Sequence, residues 1–309
     1  MDTSWENILR LSIVHGMAYP NAQSGDSSYF LETLNRLADD DFFSVLEITW
    51  IKDQALRRSV REVAENSHVT LTYAAQPALL NQRLDLSSPV ESERRRAVDQ
   101  IKTCIDEAVE LGAERMSLLS GFDRGEANRK EAMRLMVEST LEICAFGEER
   151  RVPITLEAFD REVEKKCLIG PAEDAATLTR TIRKDYRNFG IMYDMAHGPL
   201  LNEDPRHALT VLKDCLVHIH LGNCVKRAMS RPAYGDKHPR FGVEGGEHDV
   251  AELTKFMKIL FDIDYLSMKK KLDGHLPIVG FEVKPVATES PEGVIAGSKR
   301  VWKQAWARL

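Results

Sequence analysis

The sequence predicts an α/β protein built as one closed (β/α)₈ barrel, and three observations carry that prediction. First, eight short apolar runs alternate with segments whose apolar residues recur at helical spacing, roughly one pair per 35–40 residues. Such alternation calls for a parallel sheet, and eight pairs are the number that closes a barrel. Second, the 309 residues, 43% hydrophobic and 29% charged, suit one such domain over 1–309. Third, neither G-x-G-x-x-G nor G-x-x-x-x-G-K-[ST] occurs, so the doubly wound open sheet, the structural alternative, lacks its usual nucleotide loops.

Each element follows from local pattern. A first strand is expected over 9–14, ending at His15-Gly16, followed by a polar Ser/Gly/Asn loop and a helix over 29–37. The second strand is 43–48 and its helix 53–66. The third strand, 69–73, is rich in β-formers, and its loop carries Gln76-Pro77. Ser88-Pro89-Val90-Glu91 reads as a serine cap with proline at the first helical position, opening a helix that stops at Gly112. The fourth strand is 115–120 and the next helix 127–149. The fifth strand is 152–159, with a helix after Gly170-Pro171. The sixth is 189–194, closed by a turn at His197-Gly198-Pro199, with a short helix over 205–214. The seventh, 216–221, leads into a long loop over 222–248 and a helix over 249–261. A charged insert at 267–275 precedes the eighth strand, 277–283, and a last helix covers 291–307.

Composition narrows the function. The formal charge of −6 lacks the basic excess of a nucleic-acid binder. Arg94-Arg95-Arg96 and Lys269-Lys270-Lys271 sit in charged segments that read as solvated surface. No apolar run is long enough for a membrane helix, and the start Met1-Asp2-Thr3-Ser4-Trp5-Glu6 has no secretory pattern. The five cysteines show no C-x-x-C spacing, which suggests reduced thiols in a cytoplasmic protein. Cys104 and Cys144 read as core, and Cys224 as a buried structural thiol.

Four strands end in one polar residue each: Ile154-Thr155-Leu156-Glu157, Gly190-Ile191-Met192-Tyr193-Asp194, Leu216-Val217-His218-Ile219-His220 and Val279-Gly280-Phe281-Glu282. A lone Glu at a strand end is usually solvated. Four in register are a different matter, because barrel chemistry sits at the C-terminal strand ends. Alternation puts Thr155 with Glu157, Met192 with Asp194, His218 with His220, and Gly280 with Glu282 on shared faces. If those faces are the interior, three carboxylates and one imidazole converge. That donor set suits Mn²⁺, with Mg²⁺ or Co²⁺ as alternatives, better than a structural zinc. Further candidates are Glu47, for substrate contact or a salt bridge in the barrel mouth, and His15, for binding or a hydrogen-bonded core role. His218 reads as support for His220. In the long loop, which has the length of a lid, His238 is a candidate substrate contact, near Asp236 and Glu244.

Asp194-Met195-Ala196-His197 and His218-Ile219-His220-Leu221-Gly222-Asn223 resemble the xylose-isomerase-like TIM barrels, a group that includes ketose epimerases, inosose and dehydroshikimate dehydratases, and endonuclease IV. The resemblance covers nearly the whole chain at the level of strand order. In the epimerases the matching glutamates bind the metal and act as the acid/base pair, which implies those roles for Glu157 and Glu282. It also implies Asp194 and His220 as the remaining metal ligands and His197 as a holder of substrate oxygens. The epimerases carry an arginine six residues after the metal histidine. Here that position is Lys226, followed by Arg227, and Lys226 is the substrate-binding candidate there.

The expected function is therefore a divalent-metal-dependent sugar isomerase or epimerase. It would abstract a proton next to a carbonyl through a metal-stabilised enediolate. The alternative is a lyase of the same fold, eliminating from a 3-oxo-glycoside or dehydrating an inosose or dehydroshikimate. An endonuclease ranks last, since the second and third strands offer Glu47 and Tyr73 where more ligands would be needed. A barrel that binds metal only structurally is the non-catalytic reading. Expected partners are a small carbohydrate, not nucleic acid or membrane. The resemblance adds a homo-oligomer, or a small second subunit if the chain is a deglycosidase.

Overall fold

Eight parallel strands pair in the order β1 to β8, and β8 closes back on β1. This is seen in a computed structural model that describes residues 4–227, 229–267, 274–286 and 288–309. The strands are β1 (Arg10–Val14), β2 (Val45–Thr49), β3 (Thr70–Ala74), β4 (Met116–Leu119), β5 (Ile154–Glu157), β6 (Phe189–Asp194), β7 (Leu216–Leu221) and β8 (Ile278–Phe281). All eight lie where the apolar runs predict them. Several are shorter than their runs, as in β5 and β8, because the chain leaves the ladder for its loop before the apolar run ends.

Alternation sorts the side chains. Leu11, Ile13, Leu46, Ile48, Leu71, Leu118, Leu156, Ile191, Ile219, Val279 and Phe281 belong to one continuous buried core with apolar residues of the helices. The intervening residues turn inward, and there the polar groups collect: Ser12, Glu47, Thr155, Glu157, Asp194, His218 and His220 are all buried.

The major helices are Ser27–Ala38, Gln54–Ser67, Glu91–Leu111, Glu126–Glu149, Ala172–Ile182, Pro205–Leu212, Val250–Asp262 and Pro291–Trp306. Short helical turns also appear at His15–Ala18, Gln76–Gln82 and His197–Leu201. The last replaces the simple turn expected at His197-Gly198-Pro199. One start differs from expectation: the helix expected from Ser88-Pro89 begins at Glu91, with an extended Val90 as its cap. Ser88 Oγ accepts instead from Val90 N (3.2 Å) and donates to Glu93 (2.7 Å), forming a local turn ahead of the helix. At the other end Gly112 takes the left-handed conformation that stops the helix, as its type predicts.

The segment between β7 and the helix Val250–Asp262 folds back over the C-terminal mouth. Gly235 N donates to Val225 O (2.9 Å) and Lys284 N donates to His238 O (2.7 Å), tying it to itself and to the chain after β8. The five cysteines are buried and free. Among the described residues no helix is long and apolar enough to cross a membrane. Lys269-Lys270-Lys271 lies outside the described residues.

Candidate metal centre

The four strand ends do converge. One ligand atom from each of Glu157, Asp194, His220 and Glu282 lies within 4.8 Å of the others. Register explains it: Asp194 pairs across from His220, and His220 from Gly280, so their side chains share one level at the mouth. His220 Nδ1 lies 2.7 Å from Glu282 Oε2 and 3.7 Å from both Glu157 Oε1 and Asp194 Oδ2.

Beneath this level, Glu47 fixes the imidazole. His220 Nε2 donates to Glu47 Oε2 (3.0 Å), while Glu47 Oε1 accepts from Ser12 Oγ (2.5 Å) and His218 Nε2 (3.2 Å). Burial alone would raise the Glu47 carboxyl, but the two imidazoles hold it well below the usual carboxylate range. With Nε2 committed downward, Nδ1 must face the carboxylates. Gly280 makes the arrangement possible, since a Cβ there would lie 2.3 Å from Ser12 Oγ and 2.4 Å from Glu47 Oε1.

Above, three features fit a divalent cation. Glu157 Oε1 and Asp194 Oδ2 are buried and have no hydrogen-bond partner. Burial, opposed by the neighbouring histidines, pushes the Asp194 carboxyl up. Buried, unpartnered carboxylate oxygens are costly unless a cation meets them. The remaining oxygens are already oriented: Gln76 Nε2 donates to Glu157 Oε2 (2.7 Å), itself held by Ser117 Oγ (3.1 Å), and Ala196 N donates to Asp194 Oδ1. Third, the oxygen-rich donor set with one imidazole belongs to hard or borderline divalent ions.

A second network flanks the site. His197 Nε2 donates to Asp236 Oδ1 (3.1 Å) and its Nδ1 to Ala158 O (2.8 Å). His238 Nε2 lies 2.7 Å from the same Asp236 oxygen, and His238 Nδ1 has no partner. Against burial, the surrounding carboxylates raise His238 to about 9 and hold His197 well above the ordinary imidazole range. Lys165 Nζ reaches Asp236 Oδ2 (2.8 Å). Asp160 builds the turn that presents it, accepting from Val163 N, Glu164 N and Lys165 N at 2.6–2.8 Å. A cavity of about 250 Å³ opens onto Glu157, His220, Glu282, His238 and Lys165.

The other candidates separate. His238 and Glu47 line this cavity, Glu47 with both oxygens already bonded. His197 stands behind Asp236 with both ring nitrogens engaged. Lys226 is not brought to the cavity. Its loop turns at the Val225–Gly235 bridge, and its ammonium donates outward to Asn202 Oδ1 (2.6 Å). His15 is not brought there either. The chain turns into a helix at His15, and the ring packs behind β1 against Phe30 (4.5 Å) and Thr33 Oγ1 (2.9 Å), where burial lowers it to about 4. Gln76 and Lys165 were not singled out by the sequence. Lys165 lies in a loop and Gln76 opens the short helical turn after β3, and neither place has a periodicity that marks an inward side chain.

Solved structures share this architecture. D-psicose 3-epimerase from Clostridium cellulolyticum H10 is similar at a TM-score of 0.65 and 19% identity, covering 97% of this chain and 96% of its own. An L-ribulose 3-epimerase gives 0.69 and 16%, covering 97% of each chain. A 3-keto-D-glucoside 4-epimerase from E. coli gives 0.67 and 13%, covering 96% and 99%. At such identities the likeness is one of fold. No curated protein matches the chain in sequence. The model of one family, the xylose isomerase-like TIM barrels, matches residues 38–274, well over half of the chain. With the eight-stranded order and that match together, the chain belongs to the xylose isomerase-like TIM barrel family.

Proposed function

We propose that residues 1–309 act as one catalytic domain, a divalent-metal-dependent sugar isomerase or epimerase that removes a proton next to a carbonyl. The observation that carries the reading is the pair of unpartnered, buried oxygens on Glu157 and Asp194, facing His220 Nδ1 and Glu282. The sugar epimerases among the structural neighbours support the reaction class.

Glu157, Asp194, His220 and Glu282 would hold the ion. Bound there, Mn²⁺, or Mg²⁺ or Co²⁺ in its place, would supply the charge that acidifies a C–H between carbonyl and hydroxyl. The chain's own residues do the proton work. Glu157, oriented by Gln76, removes the proton as a carboxylate. Glu282 returns one to the opposite face of the resulting enediolate. His238, whose Nε2 lies 3.7 Å from Glu282 Oε1, is the imidazole outside the ligand set that can supply that proton. Lys165, whose carboxylate neighbours outweigh burial and raise it, offers a fixed cation to a sugar oxygen at the cavity wall. The loop over the mouth limits water at the reacting carbon. The cytoplasm is the proposed compartment, and a small keto-sugar the proposed partner.

The test is solvent exchange. Protein loaded with Mn²⁺ is incubated in D₂O with keto-sugars, the metal is removed, and the products are read by NMR. Deuterium next to the carbonyl is the expected result. Its absence from every keto-sugar would end the enolisation reading.

A further inference from the structure

Behind β6, on the outer side of the barrel, lies a cavity of about 170 Å³. It sits between the helical turn His197–Leu201, the start of Pro205–Leu212 and the helix Val250–Asp262. It shares no lining residue with the metal cavity. Strand alternation explains the separation. Asp194 turns inward to the metal centre, so Tyr193 beside it turns outward into this wall.

Two buried polar atoms at the cavity have no partner. Tyr193 is 3% exposed, yet its hydroxyl makes no hydrogen bond. Its ring stacks on Phe256 at 6.1 Å, and a Cβ on Gly198, another lining residue, would lie 2.7 Å from Oη, which places the hydroxyl at the cavity's edge. Glu203 Oε1 accepts from Ala172 N (2.8 Å), while its Oε2 is buried and bare. Burial accordingly raises the Glu203 carboxyl. Such atoms are costly to bury unless something meets them.

The lining also says what would meet them. Glu247 and Glu252 add two further carboxylates. Lys255, the one lining ammonium, is exposed and makes no ion pair with them. His248 donates from Nδ1 to Gly222 O (3.0 Å), and burial keeps its ring neutral. Three carboxylates against one exposed ammonium select a cation. Among the described residues, no three of these groups bring ligand atoms close enough together to hold a metal ion. The rest of the wall is apolar, from Met195, Pro199, Pro205, Phe256 and Ile259, so the cation must carry an apolar body. An apolar cavity of about 150 Å³ holds a benzene ring, which sets the ligand at roughly six to eight non-hydrogen atoms.

We infer that this cavity binds a small organic cation, a primary ammonium donating to Glu203 Oε2 and Tyr193 Oη, with a short apolar body against Phe256 and Ile259. The site is separate from the metal centre and stands or falls independently of the enolisation reading.

The experiment uses three probes with one branched body and different heads: isopentylamine, isopentanol and isovalerate. Binding is followed by NMR on the methyl groups of Met195 and Ile259, which line this cavity and not the metal cavity. The amine should shift both signals with a Kd of roughly 1 mM or tighter, in keeping with a six-atom ligand. The alcohol should bind at least about tenfold more weakly, and the acid should leave both signals unmoved. Glu203→Gln keeps an acceptor for Ala172 N but removes the charge, so it should weaken the amine at least about tenfold and leave the alcohol unchanged. Tyr193→Phe, which lacks only Oη, should weaken the amine severalfold. Circular dichroism checks that both variants keep the fold. Alcohol or acid binding as tightly as the amine in the unaltered protein would overturn the inference, as would amine binding unaffected by Glu203→Gln. No shift with any probe would also overturn it and leave the cavity to water alone.

Discussion

Two polar layers sit one above the other at the mouth of this barrel, built from the same kinds of side chain. In the lower one Glu47 uses both oxygens, accepting from Ser12, His218 and His220. In the upper one Glu157 and Asp194 each keep one oxygen with no partner, and so does Nδ1 of His238. Both layers are buried, so solvent does not explain the difference. A buried carboxylate whose hydrogen bonds are complete is a structural part. One that is held rigidly on one oxygen and left bare on the other is shaped for something that arrives later. The lower layer aims His220, and the upper layer is where chemistry is to be expected.

The sharpest way to break that comparison is to neutralise one group in the upper layer. Glu157→Gln and Glu282→Gln should each lower deuterium exchange by about 10²–10⁴-fold, the usual worth of a positioned acid or base. Circular dichroism should show the fold unchanged. Near-normal exchange in either variant would remove that residue from the proton relay.

The lower layer should respond differently. Glu47→Gln keeps the size of the side chain but weakens its hold on His220 Nε2. Metal affinity should fall about 10–100-fold, as when an orienting partner of a metal ligand is lost. Exchange at saturating metal should recover in large part. An affinity equal to that of the unaltered protein would show that Glu47 does not aim the imidazole.

The smallest effect concerns a histidine outside both layers. His15 is buried against Phe30 and Thr33, and that burial lowers its pKa to about 4, against 6.5 for a free imidazole. A depressed pKa means the unfolded chain binds the proton more readily. The stability gained from a neutral His15 is therefore present above pH 6.5 and lost as pH falls toward 4. His15→Phe should flatten the acid limb of the stability curve, by roughly 1–2 kcal/mol between pH 6.5 and 5. Denaturant melts of both proteins across that range would check it, and parallel curves would count against a buried neutral imidazole.

The barrel and the four converging strand ends were legible because strand period and apolar length are local properties. An apolar run that ends on one Glu, Asp or His shows its inward residue by alternation alone. Loop residues have no such period. Lys165 comes inward only because Asp160 caps the turn before it, and Asp236 becomes a hub only when the loop after β7 folds back across the mouth. The same irregularity misplaces residues identified by spacing. Lys226 follows His220 by six positions, yet the bridge at Val225 sends it outward to Asn202. His15 ends its strand as Glu157 does, but there the chain enters a helical turn and the ring swings behind the sheet.

The most direct test of the upper layer is a calorimetric titration of Mn²⁺ into the metal-free protein and into Asp194→Ala. The account predicts one ion per chain in the unaltered protein and binding weakened at least about a hundredfold in the variant, with the fold retained by circular dichroism. Equal binding in both, or none in the unaltered protein, would contradict it.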